Sequence, residues 1–292
     1  MQEMMKTKII IVIALILCCQ ISIQAQSTVE NDTSIQVHSF LPQAGSFAIG
    51  VDATPVFNYL GNMFNNTVGN TLDLSRPAIY AKYYISDKVA LRAVVAISST
   101  NNRDDFYVRD DAAWFVDPLS NKQVVDTRTV ANSDHFTSLA IQRFIGNTRL
   151  RGFLGAQVLY GAQSSKSINA YANPMSELNP TPTIAPAFSY SAANERTLEV
   201  ATVKAYKVGA GAIAGFEYFV LPQLCIGGEI SLNAIYSHKG QLYSKSERMV
   251  NNELVNIDKA ISPGGNEFAV ETFRFTPNGY TEQLGFYVMF HF

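Results

Sequence analysis

The chain has 292 residues, 47% hydrophobic, 11% aromatic and only 16% charged, where an average soluble domain carries about 25% charge. A net charge of −2 and a pI of about 6.1 leave no broad basic face for nucleic acid. A mean hydropathy of +0.05 excludes a polytopic helical membrane protein, and the composition is too apolar for a disordered chain.

The first predicted element is a targeting segment. Lys6 and Lys8 lead into an unbroken apolar run from Ile9 to Cys19. That run is too short to cross a bilayer, which takes about 20 residues, but it suits the core of a signal peptide. Cleavage after Ala25 makes residues 1–25 the signal, 26–44 a periplasmic N-terminal segment and 45–292 one domain. An N-terminal helical anchor is the alternative. A lipoprotein signal at Cys18 or Cys19 is disfavoured by Leu17 and Cys18, which stand where a small residue is usual. Only Cys225 remains after cleavage, so no intrachain disulfide forms. A closed hydrogen-bonded sheet would supply the stability instead.

Beyond residue 25 no helical stripe appears, and period-2 alternation marks eight strands. The first spans about Gly45–Tyr59, with Phe47, Ile49 and Val51 on one face and Asp52 on the other. The second, Pro77–Ile85, sets Ile79, Ala81, Tyr83 and Ile85 against Tyr80, Lys82 and Tyr84. The third, Val89–Ser99, sets Leu91, Val95 and Ile97 against Arg92. The fourth, His135–Phe144, carries Leu139, Ile141 and Arg143 on one face. The fifth, Thr148–Gly161, sets Leu150, Leu154, Val158 and Tyr160 against Arg151 and Gln157. The sixth, Thr197–Phe219, sets Val208, Phe216 and Tyr218 against Lys207 and Glu217. The seventh, Leu224–Tyr236, sets Ile226, Ile230 and Leu232 against Glu229 and Asn233. The eighth closes the chain. The dipeptide Asn278-Gly279 is a hairpin signal, read here as a bend within a long last strand.

Tight connections at Ser86–Lys88, Gly146–Thr148 and Leu221–Gln223 alternate with long ones at about 60–76, 100–134, 163–196 and 238–268. Short turns at one end and long loops at the other describe a transmembrane β-barrel, with short periplasmic turns and long extracellular loops. Loops of about 30 structureless residues do not fit a compact soluble domain. The fold class expected is therefore all-β, an eight-stranded antiparallel up-and-down transmembrane barrel. Phe57, Tyr59, Tyr160, Tyr236 and Tyr280 would form its outer aromatic girdle. Phe47, Tyr83, Phe144, Phe216, Tyr218, Phe290 and Phe292 would form the inner one.

The chain ends Gly285-Phe286-Tyr287-Val288-Met289-Phe290-His291-Phe292. This alternating aromatic strand resembles the C-terminal signal of Gram-negative outer-membrane β-barrel proteins. The mature chain resembles their small eight-stranded members, of the OmpX, OmpW and OmpA-barrel type. The resemblance implies an outer-membrane location, with Phe286, Val288, Phe290 and Phe292 as the assembly signal read by the barrel-assembly machinery. It also implies contact with outer-membrane lipid and lipopolysaccharide.

By strand parity Asp52, Lys82, Arg92, Arg151, Lys207, Glu217 and Glu229 point into the lumen, joined by Tyr84, Gln142, Gln157, Asn233 and His291. An eight-stranded barrel is only wide enough for side chains to fill. Opposite charges there should pair, because an unpaired buried charge is costly. The network is read as a structural plug; a narrow gated slot is the sharper alternative. Gly155, Gly209, Gly211, Gly215 and Gly227 either leave room for large neighbours or open such a slot.

No G-x-S-x-G, H-E-x-x-H or phosphate-loop pattern is present, and no cofactor or metal site is expected. A lipid-modifying enzyme would need Ser, His and a carboxylate at the outer rim. His135 near Asp134 and Ser138, and His238 near Ser237 and Ser231, are the places to look. Acids of the second loop, among them Asp104, Asp105, Asp110 and Asp111, could meet a divalent cation on lipopolysaccharide, or be a solvated mixed-charge loop. Trp114, Phe115, Phe188 and Tyr190 could anchor a partner or fold the loops together. Function is therefore expected to be structural or interactive, through the loops or within a larger complex with an outer-membrane protein partner. A narrow solute channel and a lipid-modifying enzyme are the alternatives.

Overall fold

The computed structural model describes residues 40–64, 72, 78–191, 193–272 and 285–292. The signal segment 1–25 and Asn278-Gly279 lie outside them. In chain order the elements are β1 (Phe47–Asp52), α1 (Thr54–Phe64), β2 (Ala78–Ser86), β3 (Val89–Arg109), α2 (Asp111–Val116), β4 (Gln123–Ile145), β5 (Leu150–Ala170), β6 (Arg196–Leu221), β7 (Leu224–His238), β8 (Gln241–Val250), β9 (Glu253–Ser262), β10 (Asn266–Thr272) and β11 (Gly285–His291). No described helix is long and apolar enough to cross a membrane.

Eight strands close a ring. The order β11-β1-β2-β3-β4-β5-β6 continues through the pairing of β6 with β7, and β7 pairs with β11. Every neighbour is antiparallel. The last strand is the seam: Val288 lies opposite Val51 of β1 and Met289 opposite Cys225 of β7. Phe47 and Phe292 exchange two backbone hydrogen bonds, so both ends of the ring meet beside the tight turns. The eighth place of the ring is shared. β10 pairs with the far half of β7, from Leu232 to His238, and β11 with the near half, from Leu224 to Glu229.

Strands β3 to β6 run for 21, 23, 21 and 26 residues. Crossing a bilayer takes only about 9–11. Their far halves extend the sheet into a canopy, to which the β8–β9 hairpin adds through β6. The loops expected at 100–134 and 238–268 are therefore largely strand, and the first eight residues of the one expected at 163–196 belong to β5. Segments such as Asp126–Val130 keep β-favouring Val and Thr, but they are polar on both faces and lack the alternation that marks a strand. The longest irregular stretch among the described residues, 171–191 with 193–195, is a folded strap across the canopy.

The first strand is shorter than its sequence suggests. It stops at Asp52, whose Oδ1 accepts the N–H of Thr54 at 2.9 Å, and Thr54-Pro55 opens α1. Proline is pre-set for the first turn of a helix. Phe57 and Tyr59 are thus on a helix, not on a strand.

Side chains obey strand parity around the ring. Leu91, Ile97, Leu139, Leu154, Val158 and Ile230 are each about half exposed on the outer face. Inside, Tyr84, Ala90, Ala140, Phe144, Phe153 and Ile213 pack as one cluster. A second cluster holds Tyr80, Val94, Phe136, Leu159, Phe219, Tyr287 and Met289. Phe144 is therefore not in a girdle. It shares parity with Ala140 and Gln142, lies 2% exposed and meets the Phe153 ring edge-on at 5.8 Å. At the tight-turn end Phe40 and Leu41 pack against the interior, and the Arg149 guanidinium sits 3.6 Å over the Phe40 ring.

Candidate functional site: a filled interior beneath a folded canopy

The ring interior carries two hydrogen-bonded ionic groups. In the first, Glu217 of β6 is paired with Lys82 of β2 and with Arg151 of β5, whose Nη2 lies at 2.8 Å. Tyr287 Oη donates to Glu217 at 3.0 Å, and Arg151 Nη2 donates to Tyr84 Oη at 2.7 Å. Lys82 and Glu217 side chains are both 0% exposed. The two cations also lie over aromatic faces, Arg151 at 3.7 Å and Lys82 at 5.2 Å from the Phe144 centroid, which offsets part of their lost hydration. In the second group Arg92 of β3 pairs with Glu229 of β7 and donates to Gln157 Oε1 at 2.9 Å. Gln157 passes the chain on to Asn233 at 2.8 Å.

Of the residues expected inside, Lys82, Arg151 and Glu217 meet in one group, and Arg92 and Glu229 in the other. Asp52 stands at the end of β1, where it receives the Thr54 N–H. Lys207 is half-buried farther along β6, level with Ser237 of β7. The glycines make room for bulk. A methyl at Gly227 would fall within the Tyr287 ring, one at Gly215 against Phe153, and one at Gly155 against Ile213 and the Ile141 carbonyl. Tyr287 itself escaped the sequence reading. Its parity with His291 marks it as inward, but its aromatic character reads as outward-facing.

The canopy is built on buried polar side chains that no periodicity announces. Asp126, 0% exposed, accepts the N–H groups of Ala172 at 2.9 Å and Ala185 at 3.0 Å, pinning the strap to β4. Asp111 accepts the Thr183 N–H at 2.7 Å and the Asn179 amide at 2.8 Å. Asn173 accepts the Asp111 N–H and donates to the Arg109 and Thr183 carbonyls. Arg196 pairs with Glu247 at 2.7 Å, donates to the Asn173 carbonyl at 2.9 Å and lies 4.5 Å over the Tyr171 ring. Burial raises the Asp111 carboxyl, but the hydrogen bonds from Thr183, Asn179 and Arg109 outweigh it and hold the group below the usual aspartate range. Lys259, at 2.8 Å from Glu195, lowers that carboxyl likewise.

Between the strap and β4, β5 and β6 lies a cleft of about 370 Å³, lined by Arg128, Ser167, Tyr171, Phe188 and neighbours. Arg128 lies 4.6 Å over the Phe188 ring and donates to the Ala187 carbonyl at 2.6 Å. Phe188 and Tyr171 pack edge to face at 5.2 Å. Phe188 thus folds the strap onto the strands.

Histidines fall apart from the residues expected near them. His135 is exposed and bonds Ser133 at 2.9 Å, while Ser138 is buried on the opposite face of β4. His238 meets Asn266 at 2.7 Å, and Ser231 accepts from Asn233 at 2.9 Å. Among the described residues no group of three or more His, Cys, Asp or Glu is placed to hold a metal.

Fold and interior define the chain as a closed, antiparallel eight-stranded ring with a charge-filled centre. No protein-family model matches the chain, and no curated protein matches it. Among solved structures it is similar to the outer membrane protein OprG from Pseudomonas aeruginosa, at 10% identity and a TM-score of 0.33, over 87% of this chain and 98% of that one. It is also similar to a major outer membrane protein from Thermus thermophilus, at 10% identity and a TM-score of 0.38, over 85% and 100% of the two chains.

Proposed function

We propose that the chain is an outer-membrane β-barrel with a sealed lumen, whose work is surface interaction by the canopy. A ring closed on itself leaves no backbone edge for lipid to meet, and its outer face carries the apolar side chains of Leu91, Leu139, Leu154 and Ile230. The observation that carries the functional reading is the interior. Glu217, Lys82 and Arg151 are at most 1% exposed, which supports a packed plug over a water-lined channel. The strap and the long strands then present a pre-organised surface on the side of the long connections. In this reading 26–44 is the periplasmic segment, and the β11 aromatics Phe286, Val288, Phe290 and Phe292 serve as the assembly signal.

Purified full-length protein in planar bilayers tests the sealed lumen. The expected result is no steady conductance, and a stable ohmic pore overturns the reading in favour of the channel. Mild-detergent extraction from the native outer membrane then shows whether a stoichiometric protein partner stays bound.

A further inference from the structure

Helix α1 leaves the ring in an unusual place. β1 ends at Asp52, and the Ala53 N–H still bonds the Phe286 carbonyl at 2.9 Å. Thr54 Oγ1 then accepts the Phe286 N–H at 2.8 Å. The helix therefore starts inside the wall, level with Phe286. That residue lies opposite Gly228 of β7, and the outward apolar row of β7 runs on both sides of this level, from Leu224 through Ile230 and Leu232 to Tyr236. The start of α1 is thus within the height of the apolar belt, not at its rim.

The first turn packs on the outer side of the wall. Phe286 shares parity with the outward Val288 and Phe290, and the Phe57 ring meets it at 4.7 Å. Beyond Thr54 the helix finds little protein to cover it. Val56, Leu60, Met63 and Phe64 are 42%, 39%, 53% and 81% exposed. The sequence Thr54-Pro-Val-Phe-Asn-Tyr-Leu-Gly-Asn-Met-Phe64 is polar along one narrow stripe, Thr54, Asn58 and Asn62, spaced four apart and so on one side of a helix. The remaining surface is apolar. In water such a helix would carry a costly exposed apolar patch. Its length, about 16 Å at 1.5 Å per residue, is well under the roughly 30 Å of a hydrocarbon core.

We propose that α1 is a lipid-embedded helix that continues the apolar belt, with the acyl chains of the outer membrane as its partner. The occupant follows from continuity: Phe57 and Phe286 form one surface with the belt, at a height where only lipid lies outside the wall. Its interior backbone groups pair within the helix, as a segment in hydrocarbon requires, and the Ala53 carbonyl accepts the first-turn N–H groups of Val56 and Phe57. This inference rests on the membrane reading above, and its test separates the two.

Trp114 is the one tryptophan of the chain and lies in the canopy helix α2. Trp114→Phe gives a silent background. Phe64→Trp then reports on α1, and Leu154→Trp on the belt of β5. Each full-length protein is reconstituted into phosphatidylcholine vesicles with either plain or dibrominated acyl chains, and tryptophan fluorescence is compared. The expected result is that bromine quenches the Phe64→Trp reporter as strongly as the Leu154→Trp reporter, and leaves native Trp114 unquenched. Quenching at Leu154→Trp without quenching at Phe64→Trp overturns the α1 proposal and leaves the membrane reading in place. Quenching at neither overturns both. Met63→Trp is the second α1 reporter should Phe64→Trp not fold, and the same outcomes decide.

Discussion

Lys82 of β2 and Glu217 of β6 meet across the interior of the ring, joined from strands four places apart and thus on opposite walls. The pair ties the two halves of the ring through its centre. Glu217 also serves Arg151 and Tyr287, so one carboxylate holds three side chains.

The partners of that group are not equivalent. Glu217→Leu strands two buried cations, whereas Lys82→Met leaves the Arg151–Glu217 pair intact. Removing one side of a buried ion pair costs about 3–5 kcal/mol. Glu217→Leu is expected to show that full loss, and Lys82→Met a clearly smaller one. The denaturant midpoint of the refolded protein, followed by the gel shift between unheated and heated forms, measures both. Equal losses would mean that the Lys82–Glu217 pair carries the whole effect and that Arg151 does not depend on Glu217.

Two glycine substitutions should have opposite signs. A methyl at Gly227 intrudes on the Tyr287 ring and pushes its hydroxyl from Glu217, and overpacking of this kind costs about 1–3 kcal/mol. Gly61 within α1 has nothing within 4 Å of an added Cβ, and Gly→Ala in a helix interior gains up to about 1 kcal/mol. Gly227→Ala is expected to lower the same midpoint and Gly61→Ala to hold or raise it. A neutral Gly227→Ala would show that Tyr287 can move without loss.

Asp126 fixes the strap by two charge-assisted hydrogen bonds from Ala172 and Ala185, each worth about 1.5–3 kcal/mol. Asp126→Ala should free 171–195 without opening the ring. Protease added to intact cells is expected to nick the variant within the strap and spare the wild type, while the heat-modifiable band persists. If the variant resists protease as the wild type does, the remaining contacts of Asp111, Asn173, Arg196, Arg128 and Phe188 suffice to hold the strap.

The strap should also respond to acid. The folded-state carboxyl of Asp111 sits below its ordinary value, so its stabilising contribution is complete above the usual aspartate range near pH 4. It declines as pH falls through that range towards the lower folded value. Pepsin cleavage of the strap is expected to accelerate on acidification beyond the enzyme's own pH dependence, measured on an unstructured peptide. Asp111→Asn, already lacking the charge, should show a flatter profile. Identical profiles for the two proteins would remove Asp111 from the account.

The faces of the ring's strands were legible in the chain because each strand has one outward and one inward side. Leu91 and Ile97 read as opposite in face to Arg92 from spacing alone. Of the charged residues read as inward, the ring brings together Lys82, Arg92, Arg151, Glu217 and Glu229, but not Asp52, which ends β1, or Lys207, which lies farther along β6. The canopy was not legible. Its strands are polar on both faces, so the periodic signal vanishes where the apolar belt ends, and Asp126 or Asn173 looks like any loop residue until the strap is laid over it. Two outcomes depended on geometry that no local pattern contains. Which cation meets which carboxylate follows from ring closure, which sets β2 against β6. The turn of the chain from β1 into α1 follows from Thr54 and Phe286 sharing backbone and hydroxyl hydrogen bonds across 232 positions of sequence. Amino-acid pattern determined the faces of the wall, and closure of the ring in three dimensions decided what fills it and what leaves it.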